Sequence, residues 1–467
     1  MIKDMMISNA NVPMTATIAA IATPVGRGGV GVIRLSGADS YRIAQVLTGR
    51  SEFKPRTAHF CRFYDVDGSI IDEGLVLYFP APHSFTGEEV IELQGHGGMI
   101  LQQQLLARVF ELGAKQAAAG EFSARAFDND KLDLVQAEAI ADAIDATSVA
   151  AAKSAIRSLT GEFSQKIQAL LSLLIQLRLY VEAAIDFPDE EGVDFLADDH
   201  IAKQLLQVRQ QLAAVLATAK QGQLLRDGVS VVIAGRPNAG KSSLLNRLAG
   251  QERAIVTDIA GTTRDILQET IVLNGLTLNL TDTAGLRQTD DVVEKAGIAR
   301  AKQAIEQADL LLMVYDAHQE SDPLALAKAL FGCLPASNDI LMIANKVDLT
   351  PPSKPLPKAL DEAAGYLPVY VSCKTGQGLE ALITAICDKV GFHPPENSLI
   401  ARTRHLDALR RTQAALQEAD EQLHTYHAGE LVAESLRQAQ LSLNEITGEF
   451  TADDLLGKIF GSFCIGK

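Results

Sequence analysis

Short apolar or alternating stretches in the first 130 residues predict a mixed α/β region. Apolar residues at positions 101, 105, 106, 109 and 112 predict a helix over 99–112. Two glycine-rich runs, 26–29 and 95–98, interrupt the pattern and are predicted to be tight loops. The predicted strands cover residues 18–21, 30–35, 74–79 and 90–94.

Helical periodicity dominates two separate parts of the remaining chain. Residues 131–226 are predicted to be all-helical, with one apolar face at positions 167, 170, 171, 174, 177 and 181, and a second helix from about 201 to 222. Residues 400–447 are helical again, with stripes at 406, 409, 416 and 423 and at 431, 436, 439, 443 and 446. Each half exposes an apolar stripe unless the halves pack together.

Strand and helix alternate between these halves, over 229–390, as they do in a doubly wound parallel sheet. The predicted fold is therefore a multidomain chain of α/β and all-α parts. Residues 1–130 form an N-terminal mixed domain. Residues 131–227 and 391–467 form the two parts of a helical domain, and residues 228–390 form an inserted α/β domain.

Composition narrows the class of protein. The chain has 467 residues, 47% of them hydrophobic and 21% charged, which suits two to four globular domains. A net charge of −16 argues against a surface covered in nucleic-acid-binding charge. The five cysteines are scattered without a Cys-x-x-Cys pair, which favours a reducing compartment. No signal peptide and no apolar run of about 18 residues are recognised, so a cytosolic protein without a membrane span is expected.

Residues 235–243, Gly-Arg-Pro-Asn-Ala-Gly-Lys-Ser-Ser, match the phosphate-binding pattern between a predicted strand and a predicted helix. Gly235 and Gly240 let the backbone bend so that its N–H groups point at phosphate oxygens. Lys241 is expected to reach the β- and γ-phosphates, and the Ser242 hydroxyl to bind Mg²⁺. A chance glycine-rich turn is the alternative, and the flanking strand and helix disfavour it.

Four further motifs follow in the order of a GTPase, at residues 261–265, 282–285, 345–348 and 372–374. Thr263 is the expected second Mg²⁺ ligand, and the carboxylate of Asp348 can accept two N–H bonds from guanine, which adenine does not offer. The order and spacing resemble those of translation-factor-like GTPases. The predicted GTP site comprises Asn238, Ala239, Gly240, Lys241, Ser242, Ser243, Thr257, Asp258, Ile259, Ala260, Gly261, Thr262, Thr263, Asp282, Thr283, Ala284, Gly285, Asn345, Lys346, Asp348, Ser372, Cys373 and Lys374.

Leu286 stands where a Ras-like protein has a glutamine that positions water. Another group must therefore orient the nucleophile. The carbonyl oxygen of Asn238 can join backbone oxygens of Thr257, Ile259 and Thr262 around a monovalent cation. An acid in the next segment can orient water, and the residues alone leave open whether it is Asp290, Asp291 or Glu294.

Three stretches outside the α/β domain also need explanation. Arg34 falls in phase with a predicted strand, and a buried arginine needs an anionic partner. Residues 120–123 and 129–133 fit helix caps, and Lys131 by itself fits a surface charge. The last five residues, Phe-Cys-Ile-Gly-Lys, are apolar, whereas chain ends are usually polar. An inert buried tail and a tail that carries the Cys464 thiol into a site both remain open.

Together these motifs resemble the MnmE (TrmE) family of tRNA-modification GTPases over essentially the whole chain, apart from the first dozen residues. Ser-Cys-Lys replaces the more usual Ser-Ala-Lys or Ser-Ala-Arg, which leaves the backbone contact to guanine intact. The motifs that carry the resemblance, besides the GTPase motifs, are Thr23-Pro-Val-Gly-Arg-Gly-Gly, Ser84-Phe-Thr-Gly-Glu-Glu, Gln94-Gly-His-Gly-Gly, Gly120-Glu-Phe-Ser, Lys131-Leu-Asp-Leu, Gln136-Ala-Glu-Ala, Asp186-Phe-Pro, Glu449-Phe-Thr and Phe463-Cys-Ile-Gly-Lys.

The resemblance implies an N-terminal domain that binds folate and dimerises. It implies that 5-formyl-tetrahydrofolate is held by Arg34, Glu92, Lys131 and Lys467, and that K⁺ is held by Asn238, Thr257, Ile259 and Thr262. It implies Mg²⁺ on Ser242 and Thr263, Glu294 as the acid that orients water, and a role in modification for Cys464.

The resemblance also implies partners and a reaction. The partners are a second copy of the chain, the flavoprotein MnmG (GidA) in a heterotetramer, and tRNA. The reaction installs aminomethyl-type groups at C5 of the wobble uridine. A ribosome-assembly GTPase switch and a membrane-remodelling GTPase are the alternatives, and the chain shows neither the basic RNA-binding run nor the basic amphipathic helix that these need.

Overall fold

The structure is a computed structural model that describes residues 16–24, 26–186, 199–250, 268–282, 305–332, 335–336, 339–349, 360–361, 365–393, 398–426, 428–449, 453–461, 463 and 466. The chain divides into two compact units. The first contains residues 1–141 and 444–467, and the second contains residues 142–443. The division into four segments expected from the sequence, with its three boundaries, remains a prediction.

The first unit is built on a six-stranded sheet with the order β3-β4-β5-β2-β1-β6. Its neighbouring strands are antiparallel except for β1 and β6, which are parallel. The strands are β1 Ile18–Ile21, β2 Gly28–Ser36, β3 His59–Tyr64, β4 Ile70–Phe79, β5 Val90–Gly97 and β6 Lys115–Gln116. The helices are α1 Ser40–Thr48, α2 Met99–Glu111 and α3 Glu121–Asp128, and α4 Leu134–Ile144 begins in this unit.

The four predicted strands and the helix at 99–112 are confirmed, but α1 and β3 were missed. The prediction of tight loops is wrong for residues 28–29 and 95–97, which extend β2 and β5. Their glycines serve close strand packing instead. A Cβ on Gly97 would lie 2.4 Å from the carbonyl oxygen of Gly28, and one on Gly95 would lie 2.5 Å from Asp72 Oδ2.

The second unit contains long helices and a second six-stranded sheet. The helices outside the sheet region are α5 Val149–Leu159, α6 Glu162–Asp186, α7 Asp199–Asp227, α11 Thr403–Glu421 with a π-helical continuation over Gln422–Tyr426, and α12 Gly429–Thr447. The last residues of α12, from 444 onward, belong to the first unit. All six predicted apolar positions of α6 are buried, which confirms that stripe. In the second stripe of the later helices, Leu431 is exposed, contrary to prediction.

Among the described residues, α6 has the length and apolar composition of a membrane-crossing helix over Glu162–Ile185, with a mean hydropathy of 1.4. The helices of a protein core meet the same criterion. The apolar stripe of α6 is buried inside the second unit, so its composition is explained by the core that it helps to form.

The second sheet has the order β12-β11-β10-β7-β9-β8, with five parallel strands and β8 antiparallel at one edge. Buried clusters cover both faces, as in a doubly wound fold. Its strands are β7 Val229–Ala234, β8 Gln268–Leu273, β9 Leu276–Asp282, β10 Leu310–Asp316, β11 Ile340–Asn345 and β12 Pro368–Tyr370. Its described helices are α8 Lys241–Ala249, α9 Pro323–Phe331 and α10 Leu379–Lys389. The last described helix of the chain, α13 Asp453–Gly461, belongs to the first unit.

Candidate functional site

The phosphate loop leaves β7 and enters α8 through two glycines that no other residue can replace without strain. Gly235 and Gly240 have φ values of +154° and +99°. A Cβ on Gly235 would lie 2.1 Å from the carbonyl oxygen of Val314, and one on Gly240 would lie 2.1 Å from Asn345 Nδ2. The loop therefore packs directly onto β10 and β11, and its backbone is fixed by these contacts.

Lys241 is held by the loop in which it lies. Its ammonium donates hydrogen bonds to the carbonyl oxygens of Gly235 at 3.0 Å and Arg236 at 3.1 Å, and only 7% of the residue is exposed. An ammonium group bound to the backbone of a phosphate loop is in position to bind the β- and γ-phosphates of a nucleotide. The predicted role of Lys241 fits this position.

Asn345, at the end of β11, joins the phosphate loop to the loop that follows β12. Its Nδ2 donates to the carbonyl oxygen of Ala239 at 2.9 Å, and its Oδ1 accepts from the N–H of Cys373 at 3.2 Å. The residue is 2% exposed. One buried amide thus sets the spacing between the groups that bind phosphate and the groups expected to bind the base.

Asp348 and Lys346 have defined partners beside Asn345. Ser372 Oγ donates to Asp348 Oδ1 at 2.6 Å, which leaves the other carboxylate oxygen for a base. Lys346, with φ +68°, contacts Asp316 Oδ2 at 2.8 Å. Burial by itself raises the pKa of Asp316, but the hydrogen bonds from Lys346 and from the backbone of His318 outweigh it, so the pKa is lowered.

The Cys373 thiol is buried beside these groups. Burial raises its pKa, the neighbouring charge of Asp348 adds to this, and Arg247 opposes it. The thiol is therefore neutral near pH 7, when a free cysteine already has a pKa of about 8.5. The replacement of the usual alanine adds a small apolar group at this position rather than a reactive one.

The described part of the predicted GTP site is brought together at the carboxyl edge of the five parallel strands. It comprises Asn238, Ala239, Gly240, Lys241, Ser242, Ser243, Asn345, Lys346, Asp348, Ser372, Cys373 and Lys374, and Asp282 ends the strand next to β7. The predicted residues that lie outside the described part are Thr257, Asp258, Ile259, Ala260, Gly261, Thr262, Thr263, Thr283, Ala284, Gly285, Asp290, Asp291, Glu294, Cys464 and Lys467.

Sequence reasoning missed Arg247, which donates from α8 to the carbonyl oxygens of Cys373 and Lys374, both at 2.8 Å. The helix period places it on the exposed side of α8, where an arginine is ordinarily a solvated charge. No signal in the sequence distinguishes Arg247 from an ordinary solvated arginine.

In the first unit, Arg34 and Glu92 face each other across β2 and β5, where they are direct register partners. Nε and Nη2 of Arg34 both donate to Glu92 Oε1, at 3.1 and 3.0 Å. The guanidinium carbon lies 5.5 Å from the ring centre of Phe85 and 5.8 Å from that of Phe122. The predicted need of Arg34 for an anionic partner is met by Glu92, within an aromatic setting.

Lys131 lies against the turn that follows Phe85. A Cβ on Gly87 would come within 3.1 Å of Lys131 Cε, so the lysine stem covers this turn while its residue remains exposed. The capping prediction for 129–133 is confirmed, because Asp133 and Gln136 exchange hydrogen bonds at 2.8 and 3.0 Å at the start of α4.

A buried ion network in the same unit as the Arg34–Glu92 pair was also missed. Arg125, 4% exposed, donates to both carboxylate oxygens of Glu88 at 3.1 and 3.0 Å and to Glu121 at 2.8 Å. Ser36 donates to Glu88 at 2.6 Å. The spacing of Glu121 and Arg125, four residues apart on a helix, is the one feature that could have suggested part of it.

Near the far end of β5, His96 pairs with Asp72. The distance from Nδ1 to Oδ1 is 2.6 Å, and the backbone N–H of His96 donates to the other carboxylate oxygen at 2.8 Å. The hydrogen bond and charge of Asp72 raise the pKa of His96. Burial by itself raises the pKa of Asp72, but the hydrogen bonds from His96 and from the backbone of Glu73 outweigh it, so the pKa of that carboxyl is lowered.

Two residues of the apolar tail, Phe463 and Gly466, are described, and both lie in the first unit. Phe463 is buried, and its N–H donates to the carbonyl oxygen of Phe460 at 3.0 Å. A Cβ on Gly120 would lie 2.3 Å from the carbonyl oxygen of Phe460, and one on Gly466 would lie 2.3 Å from that of Ile21. The chain end therefore reaches β1, which pairs with the strand that carries Arg34.

A phosphate loop, an Asn-Lys-Val-Asp loop and a Ser-Cys-Lys loop at the carboxyl edge of one sheet define a P-loop GTP-binding protein. The family described as GTP-binding protein TrmE N-terminus matches residues 17–131, and the family described as MnmE helical domain matches residues 134–464. The chain belongs to the MnmE (TrmE) family.

Proteins of this family in other bacteria are similar in sequence to this chain over nearly their full length. The proteins called tRNA modification GTPase MnmE are 72% identical in Psychrobacter arcticus over 99% of this chain and 98% of that one. In Acinetobacter baumannii the identity is 63% over 98% and 100%, and in Pseudomonas aeruginosa it is 55% over 97% and 99%.

Proposed function

We propose that this chain is a K⁺-dependent GTP hydrolase that modifies C5 of the wobble uridine of certain tRNAs. It does so with a flavoprotein partner, MnmG (GidA), and adds an aminomethyl-type group built with a folate one-carbon unit. The observation that carries the proposal is the Arg34–Glu92 pair beside two aromatic rings, in a chain that also carries a guanine-nucleotide site. A GTPase that acted only as a switch has no need of this second group of side chains.

The N-terminal cluster, formed by Arg34, Glu92, Phe85 and Phe122, suits 5-formyl-tetrahydrofolate by its chemistry. A pterin ring offers a flat face for Phe85 and Phe122 and several N–H donors for a carboxylate. Both bonds of Arg34 go to one oxygen of Glu92, so the second oxygen can accept from such donors. Arg34, Lys131 and, at the chain end, Lys467 supply positive charge for the carboxylates of the folate tail.

The residues proposed to act in GTP hydrolysis are assigned from the family resemblance and from the position of the phosphate loop. Ser242, in the first turn of α8, and Thr263 are proposed to bind Mg²⁺, which neutralises phosphate charge when bound. Asn238, with φ +63°, is proposed to bind K⁺ with Thr257, Ile259 and Thr262. Lys241 holds the phosphates, and Glu294 orients water in place of the absent glutamine.

The open face of the N-terminal sheet supports a homodimer. Phe60 and Leu75 are register partners on β3 and β4, and they are 65% and 36% exposed. Apolar side chains gathered on one sheet face favour contact with a second apolar surface. We propose that two copies pair through this face in the cytoplasm and that the dimer binds the flavoprotein as a heterotetramer.

The test of the whole proposal is the nucleoside composition of tRNA from a deletion strain. Mass spectrometry is expected to show loss of the modified wobble uridine, and the parent gene to restore it. The Cys464→Ser protein is expected to leave GTP hydrolysis unchanged but not to restore the nucleoside. Normal modification in the deletion strain, combined with a defect in ribosomal particles, would instead favour the ribosome-assembly switch.

The K⁺ assignment has a separate test. GTP hydrolysis is expected to be faster in KCl than in NaCl at equal ionic strength, and Asn238→Ala to remove most of the difference. The matched control is Asn246→Ala on the exposed side of α8. Equal rates of the parent protein in the two salts would refute the K⁺ site without affecting the tRNA assignment.

A further inference from the structure

The guanidinium of Arg247 donates hydrogen bonds to two successive carbonyl groups of the loop at 372–376. Nε donates to the oxygen of Cys373 and Nη2 to the oxygen of Lys374, each at 2.8 Å. This is the fork geometry in which an arginine binds two acceptors at once. Both acceptors belong to the Ser-Cys-Lys motif, whose backbone is expected to meet the guanine base, so the contact is placed where it can affect recognition.

All but one of the backbone N–H groups in this loop already have an acceptor. The amide of Lys374 is the exception, since no acceptor for it lies among the described residues. The others are bonded as follows: Ser372 to the carbonyl of Gln377 at 2.9 Å, Cys373 to Asn345 Oδ1 at 3.2 Å, Thr375 to Ser372 Oγ at 3.2 Å, and Gly376 to the carbonyl of Ser372 at 2.8 Å. One N–H is thereby left to bind a ligand.

Peptide planarity connects the two observations. In a trans peptide the C=O of one residue and the N–H of the next point in opposite directions. Because Arg247 holds the carbonyl of Cys373 toward α8, the N–H of Lys374 is turned away from α8. The other peptide group of Cys373 is also fixed, because the N–H of Cys373 donates to Asn345 Oδ1. The direction of the remaining donor is therefore fixed by side chains from two different elements.

We propose that Arg247 is a positioning residue for base selection, and that it orients the Lys374 N–H to donate to O6 of guanine. This inference rests on the assignment of the guanine site. Asp348 reads the N1 and N2 side of the base, and the Lys374 amide reads the O6 side. The specificity of the site then depends on a surface arginine that does not touch the nucleotide.

The experiment compares three nucleoside diphosphates on the full chain by titration calorimetry. GDP and inosine diphosphate carry O6, whereas 2-aminopurine riboside diphosphate has hydrogen at C6. Arg247→Ala is expected to weaken GDP and inosine diphosphate equally, by roughly fivefold, the worth of about one hydrogen bond. The affinity for the 2-aminopurine nucleotide is expected to stay unchanged, so the ratio of GDP to 2-aminopurine affinity falls by the same factor.

Two further variants separate positioning from general packing. Arg247→Lys keeps the charge but has one ammonium in place of the fork, and it is expected to lie between the parent and Arg247→Ala. Asn246→Ala, on the same helix, is expected to match the parent for all three nucleotides. Equal weakening of all three ligands by Arg247→Ala, or no weakening of GDP, overturns the inference. A parent protein that binds neither GDP nor GTP would instead reject the guanine site itself.

Discussion

The nucleotide site and the proposed folate site of this protein are built from different kinds of contact. In the nucleotide site, side chains mostly hold backbone: Lys241 binds carbonyls of its own loop, Asn345 binds a carbonyl and an N–H, and Arg247 binds two carbonyls. In the N-terminal cluster, the side chain of Arg34 binds the side chain of Glu92. A site made of backbone needs particular loop shapes, whereas a site made of side chains needs particular strand partners.

This difference predicts how each site fails. A change of loop geometry should destroy the nucleotide site, because many weak N–H contacts depend on one backbone path. A change of one side chain in the N-terminal cluster should remove the proposed folate binding while the sheet remains intact, since the ladder of β2 and β5 does not depend on that side chain. The four predictions below test this contrast in order of expected size.

The largest effect is expected from Gly240→Ala. The new Cβ would meet Asn345 Nδ2 at 2.1 Å, and a φ of +99° strains any other residue. GTP affinity measured by calorimetry is expected to fall by on the order of a hundredfold, equivalent to about 3 kcal/mol. Gly457→Ala is the control, because nothing lies within 4 Å of its added Cβ. Wild-type GTP affinity in Gly240→Ala would show that the loop adapts.

The next effect is expected from Arg34→Ala, which removes a charged partner and leaves Glu92 unpaired. Affinity for 5-formyl-tetrahydrofolate is expected to fall by about 1.5–3 kcal/mol, the usual worth of a hydrogen bond to a charged group. GTP hydrolysis is expected not to change. The matched control is Arg62→Ala on β3, whose ion pair with Glu73 is exposed at the surface. If the two variants bind folate alike, Arg34 only stabilises the sheet.

A smaller change in affinity with a larger change in selectivity is expected from Asp348→Asn. The amide keeps one acceptor for Ser372 or the base but loses the charge, so GTP affinity should fall by about 1.5–2 kcal/mol. The amide also donates, which suits the carbonyl at C2 of xanthine. Competition between GTP and xanthosine triphosphate measures the shift. Unchanged preference for GTP would place base selection elsewhere in the site.

The smallest effect concerns the pH dependence of stability in the first unit. Because the pKa of His96 is raised from its ordinary 6.5, the pair with Asp72 stabilises the folded state fully below that pH. The contribution is lost as pH rises through the raised value. The difference in melting temperature between the parent and His96→Gln is therefore expected to be larger at pH 5.5 than at pH 8.5. His83→Gln, an exposed histidine of the same unit, should show no such trend, and a constant difference for His96→Gln would contradict the assignment.

Sequence patterns predicted the helices and strands better than they predicted which residues these elements contact. The apolar stripe of α6 and the strands that lead into the GTPase motifs were found correctly, because burial imposes a period that is visible along the chain. The glycines at 95–97 were mistaken for a loop, because a residue without a side chain fits both a turn and a close crossing of strands. Only the partner backbone distinguishes the two.

The phosphate loop, the order of the GTPase motifs and the family can all be read from the amino-acid sequence, since a backbone site requires glycine, lysine and small polar residues at fixed spacing. Three contacts appear only in the folded chain: Arg34 faces Glu92 near two aromatic rings, Arg125 binds Glu88, and Arg247 binds the loop at 372–376. These residues lie 58, 37 and 126 positions from their partners. Pairing at such distances depends on strand register and helix packing, which leave no periodic trace in the chain.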